Sequence, residues 1–82
     1  MKTYKFFTDA GHGWLQVPHS ELQELGLTTK ISPYSYRDRN FAYLEEDCDA
    51  GLFFEAKGWE SYVGNTEEIY HDNSPVREME EY

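Results

Sequence analysis

Short runs of aromatic and β-branched residues alternate with polar, glycine-punctuated segments along this chain. Residues 3–7 have the composition of a strand, a six-residue polar link follows, and residues 14–17 form a second apolar run. Because six residues separate the two runs, we predict a hairpin with a wide loop rather than a tight two-residue turn.

A second hairpin is predicted over residues 34–45, with its turn at RDRN. Alternation in the outgoing strand places Phe41 and Tyr43 on one face and Ala42 and Leu44 on the other. Weaker strand patterns follow at residues 62–64 and 68–71, with sequences YVG and EIYH.

A short helix is predicted after Pro18. Ser20 and Gln23 have the spacing of a capping box, and Gly26 stands where a left-handed residue ends a helix. We expect Leu27, just beyond this glycine, to fold back onto the apolar side of the helix.

A second helix is predicted over about residues 48–57, with Asp47 or Asp49 as its N-cap and Gly58 after its last turn. The helical period predicts a buried stripe made of four residues: Cys48, Leu52, Phe53 and Ala56.

These elements follow one another as ββα–ββα–β, which indicates a single α+β domain over residues 1–71. We predict an antiparallel sheet of four to five strands with the two short helices on one face. Residues 72–82, DNSPVREMEEY, are acidic and poor in large apolar side chains, so we predict a loosely ordered tail there.

Charge is distributed unevenly in the 82-residue chain, whose net charge is −9. Residues 1–40 contain five Lys or Arg and four Asp or Glu. Residues 41–82 contain two Lys or Arg and twelve Asp or Glu. A field of one sign attracts basic partners and repels nucleic acids and anionic membranes. We therefore expect a protein partner with a basic surface, with no direct binding of nucleic acid or membrane.

Cysteine content and hydropathy are typical of a cytoplasmic protein. Cys48 is the only cysteine, so the chain has no intramolecular disulfide, and its place on the apolar stripe favours a buried structural thiol. The sequence has no apolar run of the roughly 20 residues that a membrane span requires.

The run YLEEDCD at residues 43–49 is the strongest candidate binding feature. It holds four carboxylates within five residues, and an unpaired buried charge costs several kcal/mol, so some of them must face solvent or a partner. Helix capping with a solvated strand end and a divalent cation site are the alternatives. Together with a second acidic segment, the predicted partner-binding residues are Glu45, Glu46, Asp47, Asp49, Glu67 and Glu68. Three acidic residues of the tail are auxiliaries: Glu78, Glu80 and Glu81.

A second candidate site is aromatic. Its residues are His12, Trp14, Tyr34 and Tyr36, a composition that is common at the energetic centres of protein interfaces. Lys30, Arg37 and Arg39 near the two tyrosines resemble a base-stacking platform, but the net charge disfavours that use.

An enzymatic interpretation is weaker than a binding one. His12 lies between two glycines, and Asp9 is close enough in sequence to orient it, but the loop offers no recognisable nucleophile. A small metal-dependent enzyme would use Asp9 and His12 with Asp47 or Asp49. Because Cys48 and the three histidines have no recognised ligand spacing, we expect no metal and no cofactor.

The segments GHGWL, SPYSY and AYLEEDCDAGLF resemble a group of small hypothetical proteins from bacteriophages, plasmids and other bacterial mobile elements. The similarity spans residues 7–54, with a weaker match at NSPVR, and implies genomic context without implying a catalytic residue.

The sequence thus predicts an accessory or inhibitor protein of a mobile element. Its carboxylates would mimic phosphates and occupy the basic channel of a nucleic-acid-handling protein. The alternative is a binding module anchored by its aromatic residues and independent of charge. A monomer and a homodimer both fit the sequence.

Overall fold

Six short strands and two short α-helices make up the described part of the chain. The computed structural model describes residues 4–58 and 66–82. In chain order the elements are β1 (Tyr4–Thr8), β2 (Gly13–Pro18), α1 (His19–Glu24), β3 (Tyr36–Arg37), β4 (Phe41–Glu45), α2 (Ala50–Lys57), β5 (Thr66–Tyr70), a 3₁₀ helix (Pro75–Glu78) and β6 (Glu80–Glu81).

The strands form one mixed sheet in the order β5-β1-β2-β4-β3-β6. Both predicted hairpins are present as antiparallel pairs, but β5 pairs with β1 in parallel, and β6 adds a strand beside β3. The α+β class is confirmed, whereas the predicted antiparallel sheet of four to five strands is corrected to a mixed sheet of six. The chain passes from β4 to the far side of β1, and strand composition carries no information about such a crossover. The predicted strand at residues 62–64 lies outside the described residues.

One face of the sheet packs against both helices. Leu15 of β2 lies opposite Leu44 of β4, and Val17 lies opposite Ala42, so the four side chains form adjacent rows in this core. The full set of buried residues in this core is Tyr4, Leu15, Val17, Leu22, Leu27, Ala42, Leu44, Ala50, Phe53 and Phe54. Each fully buried Leu or Phe contributes roughly 1.5–3 kcal/mol relative to its exposed state, so this layer supplies most of the hydrophobic stabilisation.

A buried carboxylate also connects both helices to β1. Glu21 of α1 is only 4% exposed; it accepts a hydrogen bond of 2.6 Å from the Tyr4 hydroxyl and lies 3.2 Å from Nζ of Lys57 in α2. Because the charge is both hydrogen-bonded and paired, its burial is tolerated.

Helix α1 ends as the sequence predicts. Gly26 has φ of +72°, its N–H donates to the Gln23 carbonyl, and the Leu27 N–H donates to the Leu22 carbonyl at 2.8 Å. This pair of hydrogen bonds defines a Schellman motif, and Leu27 is buried beside the helix. The start differs from the prediction: the helix begins at His19 directly after Pro18, with no side-chain capping hydrogen bond from Ser20.

Helix α2 begins later than predicted, which changes its buried face. The first helical residue is Ala50, and Ala50, Phe53 and Phe54 point into the core at helical spacing. Leu52 is 38% exposed, and Cys48 is exposed in the turn before the helix. Of the predicted buried stripe only Phe53 is buried, whereas Leu52 and Ala56 are exposed on the other side of the helix and Cys48 precedes its first turn, so the buried thiol is wrong.

The opposite face of the sheet is covered by the C-terminal segment. Val76 of the 3₁₀ helix is fully buried and clusters with Trp14 and Tyr43, while Met79 packs against the same cluster. Ser74 caps this helix by accepting the Val76 N–H at 3.3 Å. Residues 74–82 thus lie against the sheet, where the buried Val76 and the β6–β3 pairing hold the segment despite its acidic composition.

Within residues 4–58 and 66–82, no helix is long and apolar enough to cross a membrane.

Candidate functional site

A pocket of about 310 Å³ opens on the face of the sheet that carries the C-terminal segment. All four residues of the aromatic candidate site line it: His12, Trp14, Tyr34 and Tyr36. Two residues of the acidic candidate set, Glu45 and Asp47, line the same pocket. The two sites that the sequence kept apart therefore share one cavity.

Strand pairing accounts for this convergence. Trp14 of β2 lies directly opposite Glu45 of β4, so the indole and the carboxylate are neighbours where these two strands pair. The loop before β2 supplies His12, and Tyr36 of β3 follows beyond β4. The three adjacent strands β2, β4 and β3 thus each contribute a residue to the pocket wall.

The aromatic rings meet at steep angles. The centroids of Trp14 and Tyr36 are 6.0 Å apart with ring planes at 79°, and His12 lies 5.8 Å from Trp14 at 41°. Trp14 is only 2% exposed, whereas Tyr34 is 69% exposed at the rim. The pocket therefore has the buried Trp14 ring on one side and the solvent-exposed Tyr34 ring on another.

One polar atom of the pocket wall has no partner. Nε1 of Trp14 is the single buried side-chain nitrogen or oxygen atom without a hydrogen bond among the described residues. Leaving a buried donor unsatisfied costs about 1–3 kcal/mol, so its presence in a pocket residue marks a place where stability is not optimised.

Arg77 of the C-terminal segment closes one side of the pocket. Its guanidinium carbon lies 5.2 Å from the centre of the Trp14 ring, and its Nε and Nη2 donate to the Asp9 carboxylate at 2.6 and 3.0 Å. Hydrogen bonding to Arg77 holds the pKa of Asp9 well below its usual range, and backbone N–H groups of Gly11 and His12 act in the same direction.

Asp9 consequently has a different role from the one predicted. It was a candidate to orient the His12 imidazole, but it accepts the backbone N–H of His12 instead. The imidazole Nδ1 lies 3.4 Å from the Glu45 carboxylate. In this geometry the Asp9 carboxylate binds Arg77 and the loop backbone, and the His12 imidazole faces Glu45.

Glu45 is a buried carboxylate held by its own turn. It is 6% exposed and accepts the Asp47 backbone N–H at 2.8 Å. Removal from water, a hydrogen bond to Glu45 and nearby negative charges raise the pKa of the Cys48 thiol. These effects favour the neutral thiol of Cys48 over the nucleophilic thiolate.

Asp49 is likewise buried, and it positions the loop that carries Tyr34. One of its oxygens accepts the Ser32 N–H at 3.0 Å, the Ser32 hydroxyl at 2.6 Å and the Ser35 hydroxyl. Ser35 in turn accepts the Glu45 N–H at 3.0 Å. Asp49 occupies the N-cap position of α2 without a side-chain capping bond, so the predicted capping role is not seen.

Glu46 and Asp47 are the exposed members of the acidic run. Partial burial and repulsion from Asp47 and Glu45 raise the pKa of Glu46, although the nearby His12 opposes this. Among the described residues, neither Glu46 nor Asp47 makes an ion pair with Lys or Arg. The negative charge crowded here is therefore not neutralised by an ion pair to Lys or Arg within residues 4–58 and 66–82.

Glu67 and Glu68 lie elsewhere. They are exposed on β5, in register with Lys5 and Phe6, and Thr8 donates to Glu68 at 3.3 Å. Three strand spacings separate β5 from β4 in the sheet, or about 14 Å. The six predicted acidic residues thus do not form one continuous surface.

Several pocket residues come from segments that sequence reasoning did not connect with the aromatic set, and Glu81 was expected only as an auxiliary acidic contact of the tail. Arg77 and Glu81 belong to the predicted loose tail, Cys48 was placed in the core, and Pro33 had no predicted role. The resemblance at NSPVR was the only signal that included Arg77. No sequence pattern shows that this segment returns to the sheet.

No group of three or more His, Cys, Asp or Glu within the described residues has a geometry that would hold a metal ion. Comparison with protein-family models, with curated proteins and with solved structures gives no match.

Proposed function

We propose that this protein is an acidic interaction protein that binds a basic surface on a protein partner. The contact is the pocket surface, which we define as the pocket together with an exposed rim; the rim consists of the lining residues Tyr34, Asp47 and Glu81 and of Glu46, which is exposed next to Asp47 in the chain. The observation that carries the proposal is the presence of exposed carboxylates beside an aromatic pocket, without a pairing Lys or Arg among the described residues.

Physical chemistry favours a basic partner. The chain carries a net charge of −9, which accelerates association with positive surfaces and repels nucleic acids. A nucleic-acid-handling protein presents such a surface in its substrate channel, where carboxylates would take the places of phosphates. An accessory or inhibitor protein of a mobile element would act in this way.

Charge removal at the rim tests this proposal. The double variant Glu46→Gln/Asp47→Asn and the wild type are titrated with a fluorescein-labelled nona-arginine peptide, and anisotropy is measured at several salt concentrations. We expect roughly 3- to 10-fold weaker binding and a shallower salt dependence for the variant, because both charges lie at the contact.

The matched control is Glu24→Gln/Glu55→Gln, which removes the same charge from exposed positions on α1 and α2. If both double variants lose equal affinity, the peptide senses only net charge and the rim has no special role. Circular dichroism of each variant checks that the fold is retained.

A charge-independent aromatic contact is the second candidate, and the grouping of His12, Trp14, Tyr34 and Tyr36 in one pocket favours it. Trp14 is unsuitable for the test because truncating a buried Trp costs about 3–5 kcal/mol. Tyr34→Ala alters an exposed side chain instead. Lost affinity with an unchanged salt slope would support the aromatic contact over the charged one.

A further inference from the structure

The pocket has the composition of a site for a cationic side chain. Its walls include Tyr34, Tyr36 and Trp14, and its acidic residues are Glu45, Asp47 and Glu81. Aromatic faces attract cations through their ring quadrupoles, and carboxylates accept hydrogen bonds from them. Arg77 is the basic residue of this lining, and Asp9 already neutralises it from outside the pocket.

The volume limits the occupant to something small. Ligand pockets commonly enclose about 300–1,000 Å³, and at about 310 Å³ this one lies at the lower limit. One long side chain of a partner fits that size better than a nucleotide or a folded element. The exposed Tyr34 at the rim leaves an aromatic surface for the rest of the partner to cover.

The molecule's own contacts favour a guanidinium over an ammonium. Arg77 is seated over the Trp14 ring while its nitrogens bind a carboxylate through two hydrogen bonds. A second planar guanidinium can repeat this combination on the other side, stacking on tyrosine and reaching Asp47 or Glu81. An ammonium is a compact, strongly hydrated charge that neither stacks nor binds in a bidentate manner.

We infer that the pocket receives an arginine side chain of the partner protein. The inference rests on the proposed function, since it names the group that the pocket surface recognises. The aromatic walls would contact the guanidinium faces, and the carboxylates of Asp47 and Glu81 would accept its N–H groups. Glu45 would contribute negative charge from below while it keeps its own hydrogen bond to the turn.

The test uses three small probes of similar length: the N-acetyl, N′-methylamide derivatives of arginine, lysine and citrulline. Each is titrated into ¹⁵N-labelled full-length protein, and chemical-shift changes are followed by two-dimensional NMR. We expect the arginine derivative to bind with a Kd on the order of 1 mM, with shifts centred on Trp14, Tyr34 and Tyr36. The lysine derivative should bind more weakly, and the uncharged citrulline derivative should not bind measurably.

Two exposed pocket variants make the test specific. Tyr34→Ala removes one aromatic wall and should weaken arginine binding roughly 3- to 30-fold, since a cation–π contact is worth about 0.5–2 kcal/mol. Glu81→Gln should also weaken it. Glu24→Gln, on α1 and away from the pocket lining, is the matched control and should leave it unchanged.

Three results would overturn the inference: equal binding of arginine and citrulline, equal binding of arginine and lysine, or arginine binding that Tyr34→Ala and Glu81→Gln leave intact. The proposed function has a separate readout. If the affinity for nona-arginine still depends on Glu46 and Asp47 while the arginine derivative does not bind in the pocket, the inference fails. The rim then binds basic surfaces without an arginine site in the pocket. If the derivative binds and the rim variants leave nona-arginine affinity unchanged, the pocket stands and the charged-surface proposal fails.

Discussion

Individual acidic residues in this protein differ in role even where they are neighbours in sequence. Glu45 and Asp49 are buried and satisfied by hydrogen bonds, whereas Glu46 and Asp47 between them are exposed. The hydrogen-bonding geometry of the turn, with the Asp47 and Asp49 N–H groups directed at Glu45, separates these roles. Carboxylates one step apart along the chain can therefore differ completely, one positioning a loop and the next facing solvent.

Asp9 provides a test of how one carboxylate supports the loop beside the pocket. Asp9→Asn removes the charge that pairs with Arg77, so we expect a lower Tm at pH 7. Because the pKa of Asp9 is depressed in the folded state, the unfolded chain binds its proton more readily. The stabilisation is present above the unfolded pKa of about 3.9 and is lost as the pH falls through the folded pKa.

Thermal unfolding of the wild type and Asp9→Asn should therefore differ at pH 7 and converge towards strongly acidic pH. Asp72→Asn is the matched control, since Asp72 is exposed and makes no ion pair with another described residue. Equal Tm values for wild type and Asp9→Asn at pH 7 would contradict a structural role for the Asp9–Arg77 pair.

Close backbone approach and tight turns define the elements that surround the core. Gly13 begins β2, where a Cβ atom would lie 2.7 Å from the Phe6 ring, so only glycine permits this packing without a shift. Gly26 ends α1 with a positive φ and allows Leu27 to return to the core. Both glycines act through geometry that their elements require, but only the role of Gly26 was identified from the sequence.

Gly26→Ala tests the end of α1. Apart from its chain neighbours, no atom lies within 4 Å of the place that an alanine Cβ would take, so the cost is the left-handed backbone alone. We expect a loss of about 1 kcal/mol in the free energy of unfolding, measured by urea denaturation. Gly51→Ala is the control, because Gly51 lies in α2 with equal space, and alanine should stabilise that helix by up to about 1 kcal/mol. A Gly26→Ala variant as stable as wild type would contradict the Schellman geometry.

At the scale of the whole molecule, the sheet is covered on both faces by different parts of the chain. The helices cover one face, and residues of the C-terminal segment cover Trp14 and Tyr43 on the other. β6 also pairs with β3, with Tyr36 opposite Glu81. Because that segment brings both Arg77 and Glu81 to the pocket, the stability of the domain and the shape of the site are linked.

Val76→Ala tests this link. Val76 is completely buried between the segment and the sheet, so we expect a loss of about 1.5–3 kcal/mol in the free energy of unfolding. Pro75→Ala alters an exposed neighbour in the same 3₁₀ helix and should change stability much less. If both substitutions are neutral in urea denaturation, the segment is not part of the cooperative fold.

The sequence by itself determined the local features that depend on neighbouring residues. Alternation correctly placed Ala42 and Leu44 on the face opposite Tyr43, and the glycine after α1 was correctly identified as its end. The α+β class also followed from the order of these elements. Each of these depends on backbone geometry or periodicity over a few residues, which the sequence contains directly.

Tertiary structure alone decided which distant segments meet. The parallel β1–β5 pairing, the return of residues 74–82 to the sheet and the placement of Tyr34 beside Trp14 and Glu45 all join parts of the chain that local pattern leaves independent. They depend on which arrangement buries Val76, Trp14 and Tyr43 together, a property of the whole packed molecule. For that reason the sequence identified both sets of candidate residues, and only the fold brought the aromatic set together with Glu45 and Asp47 around a single pocket.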